Sequence, residues 1–458
     1  MISSALAAGC LILAGLPLSY ALTRRLVLAF ALGPLVAALF AASAVVAMLL
    51  FGGALGIWLA VAFALQIASA SLLLRRREAV PDATTADLLW LTIPLLLPMT
   101  LAVSPPTAWD SHSIWWMHAG YFAKGAAVAR EAMSAPAVMF SHPDYPPLPS
   151  APVAALWQIA GRVDFRVAHS ASALVTYSAI VLLAVAVRQA LSQSSPALAR
   201  AAGVAVGLAT WATAPFSVTS GYSDALWAAA FVAGAVPSLF GRAPRAIDLG
   251  LLTVAALSKN EGMIAVGVLA LLLILRRGRP GAWRLWIPVA AGVAWAIVAR
   301  LLGATSDLRS GGRFTALLTF DPAVWGRLEP TLAALWSSAG IATVSAAVVA
   351  LTGAVVLRAR RRAFGLPGEG WLWGVVAAYA GCLIVTYLIS PHDITWHLAT
   401  SSSRVSLPLV LLACVSAATW VVVAADRPPS RPGVACAEAA ARVPARPAQA
   451  PATDTVPM

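Results

Sequence analysis

"LVLAFALGPLVAALFAASAVVAMLLF", residues 26–51, runs for 26 residues without one charged side chain. A helix needs roughly 20 apolar residues to cross the hydrocarbon layer of a bilayer, so this stretch is long enough to span it. Similar windows recur on either side, near 3–22, 54–74, 86–103, 167–187, 198–217, 222–240, 246–258, 262–275, 284–303, 331–357, 371–389 and 405–424. Of 458 residues, 60% are hydrophobic and 11% charged, far more apolar surface than a soluble core hides. The sequence therefore predicts an all-α polytopic transmembrane helix bundle over 1–424, with about 11–13 spans.

Lys and Arg number 31 against 18 Asp and Glu. A basic excess can signal a nucleic-acid partner, but here the arginines are scattered between hydrophobic spans and form no single basic surface, so no nucleic acid is expected. Arg24 with Arg25, residues 75–77, Arg188, Arg242 with Arg245, residues 276–279 and residues 358–362 all fall on one side if the amino terminus starts outside. The positive-inside rule makes that side the cytoplasm and places the chain in the cytoplasmic membrane. Residues 425–458, rich in Pro, Ala and Arg without periodicity, read as a disordered cytoplasmic tail.

Cys10, Cys382, Cys414 and Cys436 form no CxxC pair, and three of them lie in apolar helices, so neither a disulfide framework nor a zinc site is indicated. The start "MISSALAAGC" lacks the basic region of a signal peptide, and residues 1–22 are expected to be a retained first span.

The opposite side receives the segments 104–166, 218–222, 258–262, 304–330 and 390–404, where the polar residues collect. A helix starting at Trp109 would set Asp110, Ile114, Met117 and Tyr121 near one face, with Trp115 and Trp116 at headgroup depth. Asp110 would sit in its first turn, where a carboxylate suits the free N–H groups, so a capping role stands beside a chemical one. "SHPDYPPLPSAP" (141–152) forbids a regular helix and would present His142, Asp144 and Tyr145 on an extended path. The segment 153–161 is too short to span and reads as a re-entrant or surface helix.

"SGYSDALW" (220–227) puts Tyr222 and Asp224 at a span end, where Asp224 could also cap its helix. "LSKNEGM" (257–263) interrupts two short apolar runs with Lys259, Asn260 and Glu261. Ionisable groups below the membrane surface are costly unless they face a cavity or a partner. Before the last span come His392, Asp393, His397 and Arg404; their spacing matches no strong zinc motif, and no metal ligands are assigned. The guanidinium of Arg404 suits a phosphate, because its fork of donors matches phosphate oxygens.

In order along the chain, "WDSHSIW" (109–115), "HPDYPPL" (142–148), "YSDALW" (222–227), "KNEG" (259–262) and "HDITWHLATSSSR" (392–404) resemble the bacterial integral-membrane glycosyltransferases of the GT-C superfamily, related to protein O-mannosyltransferases and lipid A aminoarabinose transferases. The resemblance implies a multi-span helical fold that moves a sugar from a polyprenyl-phosphate carrier to an envelope acceptor (glycan, lipid or protein) on the extracytoplasmic face. It maps the acid that acts near the acceptor onto Asp110. Ser111 follows where protein-modifying members often carry a second acid.

With that implication, Lys259 and Arg404 are the expected phosphate-binding residues and Asp110 the expected base. His142, Asp144, Tyr145, Tyr222, Asp224, Glu261, His392, Asp393 and His397 are expected around the substrates, with Glu261 positioning Lys259. One-step displacement would invert the anomeric centre. Membrane lipid and a lipid-linked sugar are the expected partners; no organic cofactor is expected, and a divalent metal is left open. The rival reading is a transporter or lipid-linked sugar flippase, which should place ionisable residues near the midplane of several spans.

Overall fold

The computed structural model describes residues 4–75, 85–101, 107–276, 281–305, 313–359 and 368–426. The tail expected at 425–458 lies almost wholly outside the described residues. Among these residues there are helices and turns but no strands. The α-helices in order are α1 Ser4–Thr23, α2 Leu26–Phe51, α3 Leu55–Arg75, α4 Thr85–Leu101, α5 Trp116–Ala123, α6 Ala126–Ser134, α7 Ala151–Ala160, α8 Phe165–Ala190, α9 Pro196–Thr213, α10 Pro215–Thr219 and α11 Asp224–Leu239. They continue with α12 Ala246–Ala256, α13 Asn260–Leu275, α14 Trp286–Leu301, α15 Arg313–Leu318, α16 Pro322–Trp325, α17 Leu328–Leu335, α18 Ile341–Ala359, α19 Glu369–Ile389, α20 Ile394–Val405 and α21 Leu407–Ala425.

Eight helical stretches among the described residues are long and apolar enough to cross a membrane. That is fewer than the 11–13 expected. The other five predicted spans are also helical, but α4, α11, α12 and α13 have only 17, 16, 11 and 16 residues, and α9, with 18, is less apolar. At about 1.5 Å per residue α12 reaches roughly 17 Å, well short of a hydrocarbon layer of about 30 Å. All 16 residues of α11 are buried, so this helix is the centre of the bundle, with α8, α12 and α13 packed around it. Its neighbours come close because small residues line the contacts. A Cβ on Gly262 would collide with the Ala255 carbonyl, so α12 and α13 form a tight hairpin.

The two ends of these helices differ in chemistry. At the carboxy-terminal ends of α3, α8 and α11, Arg24 donates to the Leu73 carbonyl at 2.7 Å, Arg242 to the Gln189 carbonyl at 2.5 Å and Arg276 to the Leu239 carbonyl at 3.3 Å. Last-turn carbonyls lack intrahelical partners and carry the negative end of the dipole, which is why guanidinium groups settle there. The other ends of α11 and α13 begin with Asp224 and with Asn260-Glu261.

Several local expectations are corrected. Residues 111–115 form a π-turn ahead of α5, and Trp115 and Trp116 are buried in protein, whereas Trp109 is exposed. Hydropathy alone does not separate an indole facing lipid headgroups from one facing a helix. The proline-rich stretch is a succession of turns with His142 in the left-handed region (φ 53°), not an extended strand. The segment read as a loop at 390–404 is largely α20, joined to the last span, and the described part of 304–330 contains α15 and α16. The segment 153–161 is the short helix expected, residues 153–160 lying in α7, but the first seven residues of α7 are buried, which does not suit a surface helix.

Candidate functional site

Four separated parts of the chain bring their ionisable groups together. The Arg404 guanidinium, in the last turn of α20, binds the Asp110 carboxylate and lies 3.6 Å from Asp224 Oδ2. Lys259 Nζ donates to Asp224 Oδ1 at 2.9 Å and stands 3.2 Å from Glu261 Oε1. The result is one chain of alternating charge: Asp110, Arg404, Asp224, Lys259, Glu261. Alternation is what allows five charges to sit largely out of water, because each cation has a carboxylate on either side.

This arrangement replaces the two capping expectations. Asp110 makes no side-chain cap bond to its turn, and Asp224, in the first turn of α11, gives its oxygens to cations. The dipole argument still holds for Asp224 and Glu261, since both occupy helix first turns where negative charge is favoured. Burial alone would lower the Lys259 amine; the Asp224 and Glu261 carboxylates outweigh it and hold the amine above its ordinary range, so it stays an ammonium.

A cavity of about 140 Å³ opens against this chain and is lined by Lys259, Glu261 and Arg404 together with His142, Asp144, Tyr145, His392 and His397. Asp110, Tyr222, Asp224 and Asp393 do not line it. The Tyr222 ring lies 5.2 Å from the Arg404 guanidinium, a cation–π contact that steadies it from behind. Asp393 accepts from the Trp396 amide at 2.9 Å and caps α20; it is exposed.

One wall is aromatic. Tyr145 stacks with His142 (centroids 4.8 Å, 14°) and with Trp115 (5.5 Å, 16°), and Lys259 Nζ is 5.8 Å from its ring centroid. Desolvation, then the Glu261 carboxylate, push the Tyr145 hydroxyl well above its ordinary value, so it remains a neutral donor. The turn that carries these rings is tied down by the hairpin tip beneath it. Asn260 Nδ2 donates to Asp144 Oδ2 at 2.9 Å, Trp295 Nε1 to the Asp144 carbonyl at 2.8 Å, and the Leu148 amide to the Leu257 carbonyl at 3.2 Å.

No protein-family model, curated protein or solved structure matches this chain. The site is therefore read from its own chemistry. Ser390 Oγ meets His397 Nδ1 at 2.8 Å, the Ser390 carbonyl takes hydrogen bonds from Arg313 and Arg327, and Tyr387 shares a hydrogen bond of 2.8 Å with Ser401. Arg313, Arg327, Trp295 and Trp396 were not singled out from the sequence. Trp396 carried a signal, being flanked by His392 and His397; the two arginines carried none, because their partner is a backbone carbonyl more than sixty residues away.

His118, absent from the expected site, is fully buried and donates from Nε2 to the Ser141 carbonyl at 2.8 Å; burial lowers its pKa to about 3, which keeps the ring neutral. Among the described residues no group of three His, Cys, Asp or Glu side chains is gathered as a metal site. Asp110, Asp224 and Glu261 each already face a protein cation.

Among the described residues, two atoms of the charge chain find no hydrogen-bond partner: Arg404 Nε, a donor, and Glu261 Oε2, an acceptor. Both belong to cavity-lining side chains, so a ligand that offers an anionic oxygen to one and a hydroxyl to the other would complete them.

Proposed function

We propose that the protein is a glycosyltransferase that moves a sugar from a polyprenyl-phosphate donor to an envelope acceptor on the extracytoplasmic face. The observation that carries this reading is the pairing, in one cavity wall, of two cations with aromatic and polar groups, at the end of helices α11 and α13 that span only about 24 Å each. A lipid-linked donor keeps its tail in the hydrocarbon and its head at this depth, so a cavity sunk at helix ends meets it where a soluble cleft would not.

Arg404 and Lys259 suit the phosphate, and the exposed indole of Trp396 suits the apolar face of a sugar ring. In the reaction the acceptor oxygen bonds to the anomeric carbon as the carbon–oxygen bond to phosphate breaks. The electron pair leaves on the polyprenyl phosphate, whose charge grows from one to two, and the acceptor proton passes to Asp110. Cations already in place stabilise that growing charge at no reorganisation cost. Direct displacement inverts the anomeric centre. Clustering of the ionisable groups at one end of the helices favours this reading over a transport path, which needs them along the membrane depth.

The test uses purified full-length protein in lipid nanodiscs, supplied with a panel of labelled polyprenyl-phosphate sugars and an envelope extract as acceptor. Asp110→Asn should lower transfer at least about 100-fold with the protein still monodisperse. Transfer at the wild-type rate would remove Asp110 from the chemistry, and no transfer by wild type from any donor would refute the reading.

A further inference from the structure

We propose that Asp110 and the donor phosphate compete for the same guanidinium. Phosphate binding would draw Arg404 off Asp110, and the base would become free to take the acceptor proton only once the donor is seated. This rests on the glycosyltransferase reading above and adds to it an order, donor before acceptor, with Arg404 as the residue that enforces it.

Arg404 lines the cavity and Asp110 does not, so a ligand there reaches the cation before the carboxylate. Arg404 binds Asp110 through Nη1, and its Nε is buried and has no partner among the described residues. The free Nε shares one planar edge of the guanidinium with Nη2, so a phosphate can engage two donors there, and turning that edge into the cavity takes Nη1 off Asp110.

Burial decides which of the two cations can be exchanged. The Asp110 and Arg404 side chains are 20% and 23% exposed, whereas Asp224 and Lys259 are 3% and 6% exposed. Separating a fully buried pair strands a charge in low dielectric, while a pair that water reaches gives up little. The Asp110 contact is therefore the one that yields, and Lys259 stays on Asp224. Asp224, 3.6 Å from the same Nη1, keeps Arg404 from drifting after the exchange.

Equilibrium binding of undecaprenyl phosphate to the full-length protein in phosphatidylcholine nanodiscs tests this, with uncharged undecaprenol as reference. Asp110→Asn keeps the side-chain shape and removes the competitor. It should bind the phosphate about tenfold more tightly than wild type while losing transfer; tenfold corresponds to roughly 1.4 kcal/mol. Asp110→Ser serves the same purpose if the amide variant is not monodisperse.

Arg404→Gln should weaken phosphate binding, and adding Asp110→Asn to it should change nothing further. Unchanged or weaker binding by Asp110→Asn overturns the exchange and leaves the glycosyltransferase reading standing. Equal tightening in the Arg404→Gln background also overturns it, since the gain would then come from general charge. Wild-type protein that binds undecaprenyl phosphate no better than undecaprenol would overturn both.

Discussion

Asp224 gives one oxygen to Lys259 at 2.9 Å and turns the other toward Arg404 at 3.6 Å, from a side chain that is 3% exposed. It touches neither the cavity nor anything in it, so it acts by fixing the separation of two cations that do. A neutral amide in its place would leave Lys259 with Glu261 alone and Arg404 with Asp110 alone. Removing one member of a buried ion pair costs about 3–5 kcal/mol, because the remaining charge stays desolvated. Asp224→Asn should therefore lower the thermal unfolding midpoint sharply in detergent, and Asp224→Glu should recover part of the loss. A midpoint within a degree of wild type would show that the two cations find other partners. The residue types at this site were legible in the sequence, since charges beside apolar runs are costly and stand out. Their pairing was not, because Arg404 and Asp110 are 294 residues apart and nothing local to either names the other.

The α12–α13 hairpin supplies Lys259, Asn260 and Glu261 from a tip whose height is set by how closely its two helices pack. Gly262 sits at their closest approach, against the Ala255 backbone. Gly262→Ala must push the helices apart, and overpacking of this kind typically costs about 1–3 kcal/mol. The expected outcome is a less stable protein whose sugar transfer falls further than stability explains, measured as activity per folded molecule, because Lys259 moves with the tip. Activity in proportion to folded protein would show that the tip is held from outside the hairpin, by Asp144 and Leu148. At this scale the apolar helices were legible from hydropathy alone, but not which of them are long and apolar enough to span. The polar run of α20 was not, since "SSSR" ahead of an apolar stretch reads as a loop; Asp393 caps the helix, and the Ser401 hydroxyl finds its partner in the His397 carbonyl one turn back instead of in water. The burial of Trp115 and Trp116 was equally hidden, because it depends on Tyr145, Phe165 and other rings brought in by the fold.

Across the whole molecule, α8 joins the two chemically distinct ends. Its first residue, Phe165, packs on His112 and Trp116 beside the site, and Gln189 near its last residue takes Arg242 and Arg245. Its 26 residues cover about 39 Å, enough to cross a hydrocarbon layer of about 30 Å. If the arginine-rich ends face the cytoplasm, as the positive-inside rule requires, residues just before α8 face outward and those just after it face inward. Val163, 54% exposed, and Gln193, exposed in the turn after α8, suit a labelling test in protein whose native cysteines have been replaced. In right-side-out vesicles a membrane-impermeant maleimide should modify Val163→Cys and spare Gln193→Cys until the membrane is opened. Labelling of both from one side would mean that α8 does not cross. The reverse pattern would put the charge chain on the cytoplasmic side and end the case for chemistry on a donor in the outer leaflet, while leaving the pairing of Asp110, Arg404, Asp224 and Lys259 as it stands.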